Sequence, residues 1–94
     1  MPQTSLGIVE TRGYTALVDA IDAMLKAAEV EIVHYEKVGG GLVSVCISGD
    51  VGAVRVALES GQMAASKSGE TRSALIANPD RELFSLLCST PANP

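Results

Sequence analysis

Three consecutive glycines, Gly39-Gly40-Gly41, separate two runs rich in β-branched residues, Val30-Glu-Ile-Val-His-Tyr-Glu-Lys-Val38 and Leu42-Val-Ser-Val-Cys-Ile-Ser48. Valine and isoleucine are stiff at χ1 and pack well on a pleated surface, so each run predicts a strand. A short glycine segment between two strands predicts a hairpin. An isolated hairpin is marginal in water, so the flanking sequence must supply further strands and a covering layer.

It does so in a regular order. Leu6-Gly-Ile-Val-Glu-Thr-Arg12 reads as a first strand, punctuated by Gly13. A helix is predicted from Tyr14 to Ala28, because Leu17, Ala20, Ile21, Met24, Leu25 and Ala28 recur at helical spacing. Thr15 is its expected N-cap, with Thr11 also placed to serve in the approach. In the second strand, alternation puts Val30, Ile32 and His34 on one face and Glu31, Val33 and Tyr35 on the other. After the hairpin, Asp50 is the expected N-cap of a helix from Val51 to Ala65 or Lys67. Its stripe is Val51, Val54, Leu58 and Ala65, with small residues Ala57, Gly61 and Ala64 beside it. Gly69 is the expected stop. Thr71 to Ala77 reads as a fourth strand. Pro79-Asp80 then opens a short helix carrying Leu83, Phe84, Leu86 and Leu87. The order β-α-β-β-α-β plus a terminal helix predicts an α/β (α+β) chain of ferredoxin-like βαββαβ type, with two helices on one face of an antiparallel sheet. We expect a single domain over residues 4–90 and a frayed tail over 91–94.

A chain of 94 residues buries only roughly 60–65% of the surface its unfolded form exposes. Yet 47% of its residues are hydrophobic, with no Trp, two Tyr and one Phe, so the apolar content is mostly Ala, Val, Leu and Ile. More small apolar surface than one small core needs predicts burial between subunits. The net charge is −4, and the basic residues Arg12, Lys26, Lys37, Arg55, Lys67, Arg72 and Arg81 are scattered. Nucleic-acid binding needs a concentrated basic footprint, and an anionic membrane surface a polybasic run; the sequence has neither. No apolar run reaches the ~20 residues of a membrane span, and Met1 to Leu6 lack the charged and apolar regions of a secretory leader, so a cytoplasmic location is expected. Cys46 and Cys88 lie in an apolar strand and an apolar helical run, and are expected as buried, reduced thiols.

Catalytic signals are weak. His34 is the sole histidine, and a strand histidine is more often structural than a base. The cysteines lie far apart and outside any CxxC context, so no metal site is expected. The serines lack a nucleophile elbow. Glu29, Glu31 and Glu36 read as edge or rim charges. The glycine run is not a dinucleotide fingerprint, since a strand and not a helix follows it. It is either a simple hairpin turn or a loop whose backbone must come close to other backbones or to a solute. No cofactor is expected.

Four co-linear segments, Gly7-Ile-Val-Glu-Thr-Arg-Gly13, Ala23-Met-Leu-Lys-Ala-Ala28, Tyr35-Glu-Lys-Val-Gly-Gly-Gly-Leu-Val43 and Gly49-Asp-Val-Gly-Ala-Val54, resemble the hexamer-forming shell proteins of bacterial microcompartments. These include shell proteins of carboxysomes and of propanediol- and ethanolamine-using compartments. The resemblance runs from about Leu6 to Pro79. It implies a non-enzymatic structural subunit that closes into homo-hexamers and tiles edge to edge with other shell hexamers. The sheets would enclose enzymes and pass small metabolites through a pore on each six-fold axis.

In that family the loop after the Tyr-Glu-Lys strand lines the pore, commonly as Lys-Ile-Gly-Ser-Gly. The resemblance therefore assigns Lys37, Val38, Gly39, Gly40 and Gly41 to the pore. Gly40 stands where the family has serine, which implies a slightly wider pore lined by backbone amides and favouring small polar or anionic solutes. Lys37 adds positive potential if it faces a mouth, and is otherwise a paired surface charge. The family's edge lysine is matched by Lys26, next to Glu29 where the family carries Asn. The family's Ile-Pro-Arg-Pro-His is Ile76-Ala77-Asn78-Pro79-Asp80 here, which lacks the edge arginine; Asn78 or Arg81 substitutes for it only weakly by position. Two alternatives stay open on residues alone. One is a small-molecule-binding regulatory protein using the glycine loop for an anion. The other is an enzyme with a site at a subunit boundary near His34 and Glu36.

Overall fold

The structure, a computed structural model, describes residues 4–88, so the expected tail and the last two residues of the expected domain lie outside the described residues. Its elements are β1 (Ser5–Arg12), α1 (Tyr14–Ala27), β2 (Glu31–Gly39), β3 (Leu42–Gly49), α2 (Val51–Ala65), β4 (Thr71–Ile76) and α3 (Arg81–Cys88). The sheet order is β2-β3-β1-β4, and every neighbouring pair is antiparallel. This is the split βαβ arrangement expected from the sequence.

The core lies between the sheet and the α1/α2 layer. Val9, Val43, Val45 and Ile47 from the strands meet Leu17, Ala20, Met24, Val54, Ala57 and Leu58 from the helices, all buried. Small residues let these layers close up. A Cβ at Gly61 would lie 2.7 Å from Met24 Cγ, and one at Gly7 would lie 2.8 Å from Val54 Cγ1. Leu25 and Val51, read as part of the buried stripes, are instead half exposed. The remaining helix, α3, takes the other face. It contacts β2, and Cys88 at its end is close enough to Cys46 to interact with it electrostatically. Cys46 points away from the α1/α2 core because its neighbours Val45 and Ile47 point into it.

Two local expectations are corrected. α1 begins one residue ahead of Thr15, with Gly13 in the cap position at φ 102° and no side-chain cap; Thr11 instead donates its hydroxyl to the Gly13 carbonyl at 2.9 Å. The simple alternation of β2 fails. Ile32 pairs with Ile47 but His34 pairs with Cys46, so a β-bulge leaves Val33 as the extra residue. Ile32 and Tyr35 consequently share the core-side face, opposite Ile47 and Val45, while His34 turns to the other. α2 stops at Ala65. Gly69 sits beyond its end, where its N–H reaches the Ala65 carbonyl at 3.1 Å and an added Cβ would strike the Arg12 carbonyl oxygen at 2.9 Å. Asp50 caps α2 as expected, accepting from the Ala53 N–H at 3.0 Å. The helix α3 is opened by Asp80, whose Oδ1 accepts from the Glu82 N–H at 2.8 Å.

Candidate functional site

Strand register separates the sequence-selected residues into two groups at opposite ends of the sheet. At one end Arg12 pairs with Leu42, Thr11 with Thr71 and Gly39 with Leu42. At the other Ser5 pairs with Gly49, Leu6 with Ile76 and Glu31 with Ser48. Lys37, Val38, Gly39, Gly40 and Gly41 form the hairpin tip at the first end, and all five are exposed. Lys26, Glu29, Asn78 and Arg81 lie on segments entering or leaving the second end, and all four are exposed.

The tip depends on glycine. Gly39, Gly40 and Gly41 have φ of 120°, 63° and 86°, a left-handed run that residues with a Cβ adopt only at a cost. None would bring an added Cβ within 4 Å of another group, so conformation, not crowding, selects glycine here. A second bulge between Lys37 and Gly39 leaves Val38 unpaired in the ladder, and it is 52% exposed. The turn's carbonyls are tied back into the subunit. The Gly40 carbonyl accepts from Arg12 Nη1 at 3.1 Å, and the Gly41 carbonyl accepts from the Gly13 N–H at 2.8 Å. Arg12 also places Nε 3.2 Å from Glu70 Oε1, and the Arg12 N–H donates to the Glu70 carbonyl at 2.9 Å. Lys37 makes no ion pair within the chain among the described residues.

At the second end Lys26 Nζ is 3.0 Å from Asp22 Oδ2, an exposed i,i+4 pair on α1. The intrachain partner is therefore Asp22 and not Glu29. Such pairs are weak, so Lys26 stays available to an outside partner. Asn78 is the one non-glycine residue with positive φ among the described residues, at 54°. Asparagine tolerates this conformation better than most residues, and it turns the chain from β4 toward α3.

The two residues named for the enzyme alternative lie close together. His34 Nε2 lies 3.4 Å from Glu36 Oε1 along an edge strand, with Glu36 exposed. Among the described residues no group of His, Cys, Asp or Glu is arranged to hold a metal ion. Cys46 is buried and Cys88 half-buried, and both are free thiols. Burial raises the Cys46 thiol to about 11, with the Cys88 charge adding to the shift; burial also raises Cys88. These are protonated, unreactive thiols near neutral pH. No helix among the described residues is long and apolar enough to cross a membrane.

Sequence reasoning missed Arg12, Gly13 and Glu70 as supports of the tip. These features define a class: a thin α/β scaffold that displays a glycine turn at one end of its sheet and an exposed lysine near the other. Residues 5–79 match the family model described as the BMC domain, and the chain belongs to that family. It is 47% identical over 88 residues to the bacterial microcompartment shell protein PduA of Citrobacter freundii, covering 93% of this chain and 95% of that one. A carboxysome shell protein of Hydrogenovibrio crunogenus is 41% identical over 92 residues, covering 96% of this chain and 90% of its own. Among solved structures, a microcompartment protein from Desulfitobacterium hafniense superposes with a TM-score of 0.79 at 31% identity, covering 98% of this chain; the present chain spans 51% of that longer one. These relatives are structural shell proteins, not enzymes.

Proposed function

We propose that the chain is a structural subunit of a bacterial microcompartment shell. It closes into hexamers with the Gly39–Gly41 turns around the axis, and the hexamers tile through Lys26 at the rim into sheets that enclose enzymes. The passage at the axis admits small polar or anionic solutes, and the assembly resides in the cytoplasm.

The observation that carries this reading is the polarity of the sheet. Five candidate pore residues share one end and the candidate rim residues the other, in a slab with extents of 37 × 31 × 19 Å. A ring with strands running outward from its axis would then set the β2 side of one subunit against the β4 side of the next, a head-to-tail contact that closes by rotation. Both sides have apolar surface to bury. Ile32, Tyr35 and Val38 are exposed on β2, and an open groove of about 550 Å³ between α2 and β4 is lined by Leu58, Met63, Ala74 and Leu75 among others. Exposed apolar groups in this number fit a subunit interface better than a monomer surface.

Native mass spectrometry is expected to find six subunits, and a stable monomer at micromolar concentration would defeat the proposal. Lys26→Ala is expected to give hexamers that no longer form sheets by electron microscopy. Sheets that persist unchanged would remove the rim role while leaving the ring intact.

A further inference from the structure

Arg12 stands at the junction of three segments that meet behind the glycine turn. It ends β1, its N–H donates to the Glu70 carbonyl at 2.9 Å, and its guanidinium reaches both Gly40 O, at 3.1 Å, and Glu70 Oε1, at 3.2 Å. Beyond the ends of the β1–β3 and β1–β4 ladders, at Arg12–Leu42 and Thr11–Thr71, these contacts and the Gly13 N–H to Gly41 carbonyl bond of 2.8 Å tie the three segments together. A small polar recess of about 100 Å³ is lined by Glu10, Thr11, Arg12, Leu42, Glu70 and Arg72, residues of both charges.

From this geometry we infer that Arg12 is the positioning and selectivity residue of the pore turn, with Glu70 as its opposing charge. The inference rests on the ring reading above, and deepens it by naming what sets solute preference. Its first part is geometric. A triple-glycine turn has the largest conformational freedom of any turn, and ordering it costs entropy. The planar fork of arginine can hold a carbonyl and a carboxylate together, which a lysine ammonium does less well. The carbonyls of Gly40 and Gly41 are both engaged within the chain, so in the ring proposed above the turn would offer the passage its amides. The amides of Gly40 and Gly41 make no backbone hydrogen bond among the described residues. Successive N–H groups of this kind favour anions.

The second part is electrostatic. Arg12 and Glu70 cancel, so the turn's amide character is not overridden by a net charge from this pair. Removing Arg12 leaves one unopposed carboxylate per subunit beside the passage, and removing Glu70 leaves one unopposed guanidinium. The two substitutions therefore act in opposite directions on an anion. A role limited to bracing the fold would move both variants the same way.

The test uses assembled shells of the full chain carrying a trapped chloride-quenched dye, with chloride influx followed by stopped flow and glycerol influx by light scattering. Arg12→Met is expected to lower the chloride-to-glycerol ratio roughly tenfold, equivalent to about 1.4 kcal/mol at the passage, and Glu70→Gln to raise it. Arg12→Lys keeps the charge and should hold the ratio within about threefold of the parent while loosening the turn. Looseness is read separately, by hydrogen exchange at the Gly13 amide in isolated hexamers. Exchange should quicken in Arg12→Met and Arg12→Lys. If Arg12→Met and Glu70→Gln shift the ratio in the same direction, or not at all, the selectivity role is refuted. Unchanged Gly13 exchange refutes the positioning role. Parent shells that admit neither solute refute the pore reading and the selectivity role with it, while the exchange result still decides whether Arg12 braces the turn.

Discussion

Gly7→Ala is the sharpest test of how closely α2 is packed on β1. Two effects oppose each other. Alanine in a strand interior recovers about 0.5–1 kcal/mol of backbone entropy relative to glycine. Its methyl, however, would lie 2.8 Å from Val54 Cγ1, 3.0 Å from Leu58 Cδ2 and 3.1 Å from Ile47 Cγ1. Carbon pairs are comfortable near 3.5–4.0 Å, so all three contacts are repulsive. Val54 and Ile47 are fully buried and β-branched, with little rotamer freedom to move aside. Overpacking of this kind costs about 1–3 kcal/mol, which exceeds the entropic gain and leaves a net loss of about 1–2 kcal/mol. At roughly 4–8 °C per kcal/mol for a domain of this size, the melting temperature should fall by about 5–15 °C. The comparison is made by calorimetry at one fixed protomer concentration, because the proposed assembly would contribute to apparent stability. Gly52→Ala is the comparator: its methyl would meet only Asp50 Oδ1 at 3.5 Å, an ordinary contact, so helix propensity should dominate and raise the midpoint. A Gly7→Ala midpoint at or above the parent's would refute the claim that glycine is required here by crowding.

Asp50→Ala removes the acceptor for the Ala53 N–H and should cost about 1 kcal/mol in urea denaturation, with Asp50→Asn recovering most of it. Cys46 predicts a pH effect. Its folded-state pKa is raised from 9.0 to about 11, so the folded state holds the proton longer than the unfolded one. Its contribution is fully present below pH 9 and is lost as pH rises through about 11; a Cys46→Ala chain should lack that part of the alkaline decline in urea midpoint. Asn78 at φ 54° predicts a conformational contrast: Asn78→Gly should leave stability nearly unchanged, whereas Asn78→Val should lower it by about 1–2 kcal/mol. Equal midpoints for the two would show that the left-handed turn does not set residue choice there.

The element order was legible because periodicity is a local signal. Apolar residues at helical spacing place α1 and α2, and the glycine run between two β-branched segments places the β2–β3 hairpin. Asp50 as a cap is legible for the same reason, since its acceptor reaches only three residues along the chain. The bulge at Val33 was not legible. Alternation assumes one residue opposite one, and only the pairing with β3 shows two residues opposite one. The candidate pore and rim residues were visible only through family resemblance; without it, Lys26 reads as an ordinary solvated charge. Arg12 and Glu70 were invisible as a pair because they are 58 positions apart, and nothing in their local sequence marks the contact.

The consequence for function lies in how register converts sequence distance into separation along one axis. Strands of eight residues span roughly 25 Å. A side chain at the β2–β3 tip and one at the entry to β2 therefore occupy opposite ends of the sheet, although Glu29 and Gly39 are close in sequence. The antiparallel order makes this separation general. Every turn after an odd crossing returns to the same end, so Gly13, Gly40 and Glu70 gather at one end while Glu29, Gly49 and Asn78 gather at the other. If the proposed ring and sheet form, substitutions at the first group should alter passage without altering tiling in flux and electron-microscopy assays, and substitutions at the second should do the reverse. That independence follows from the sheet itself.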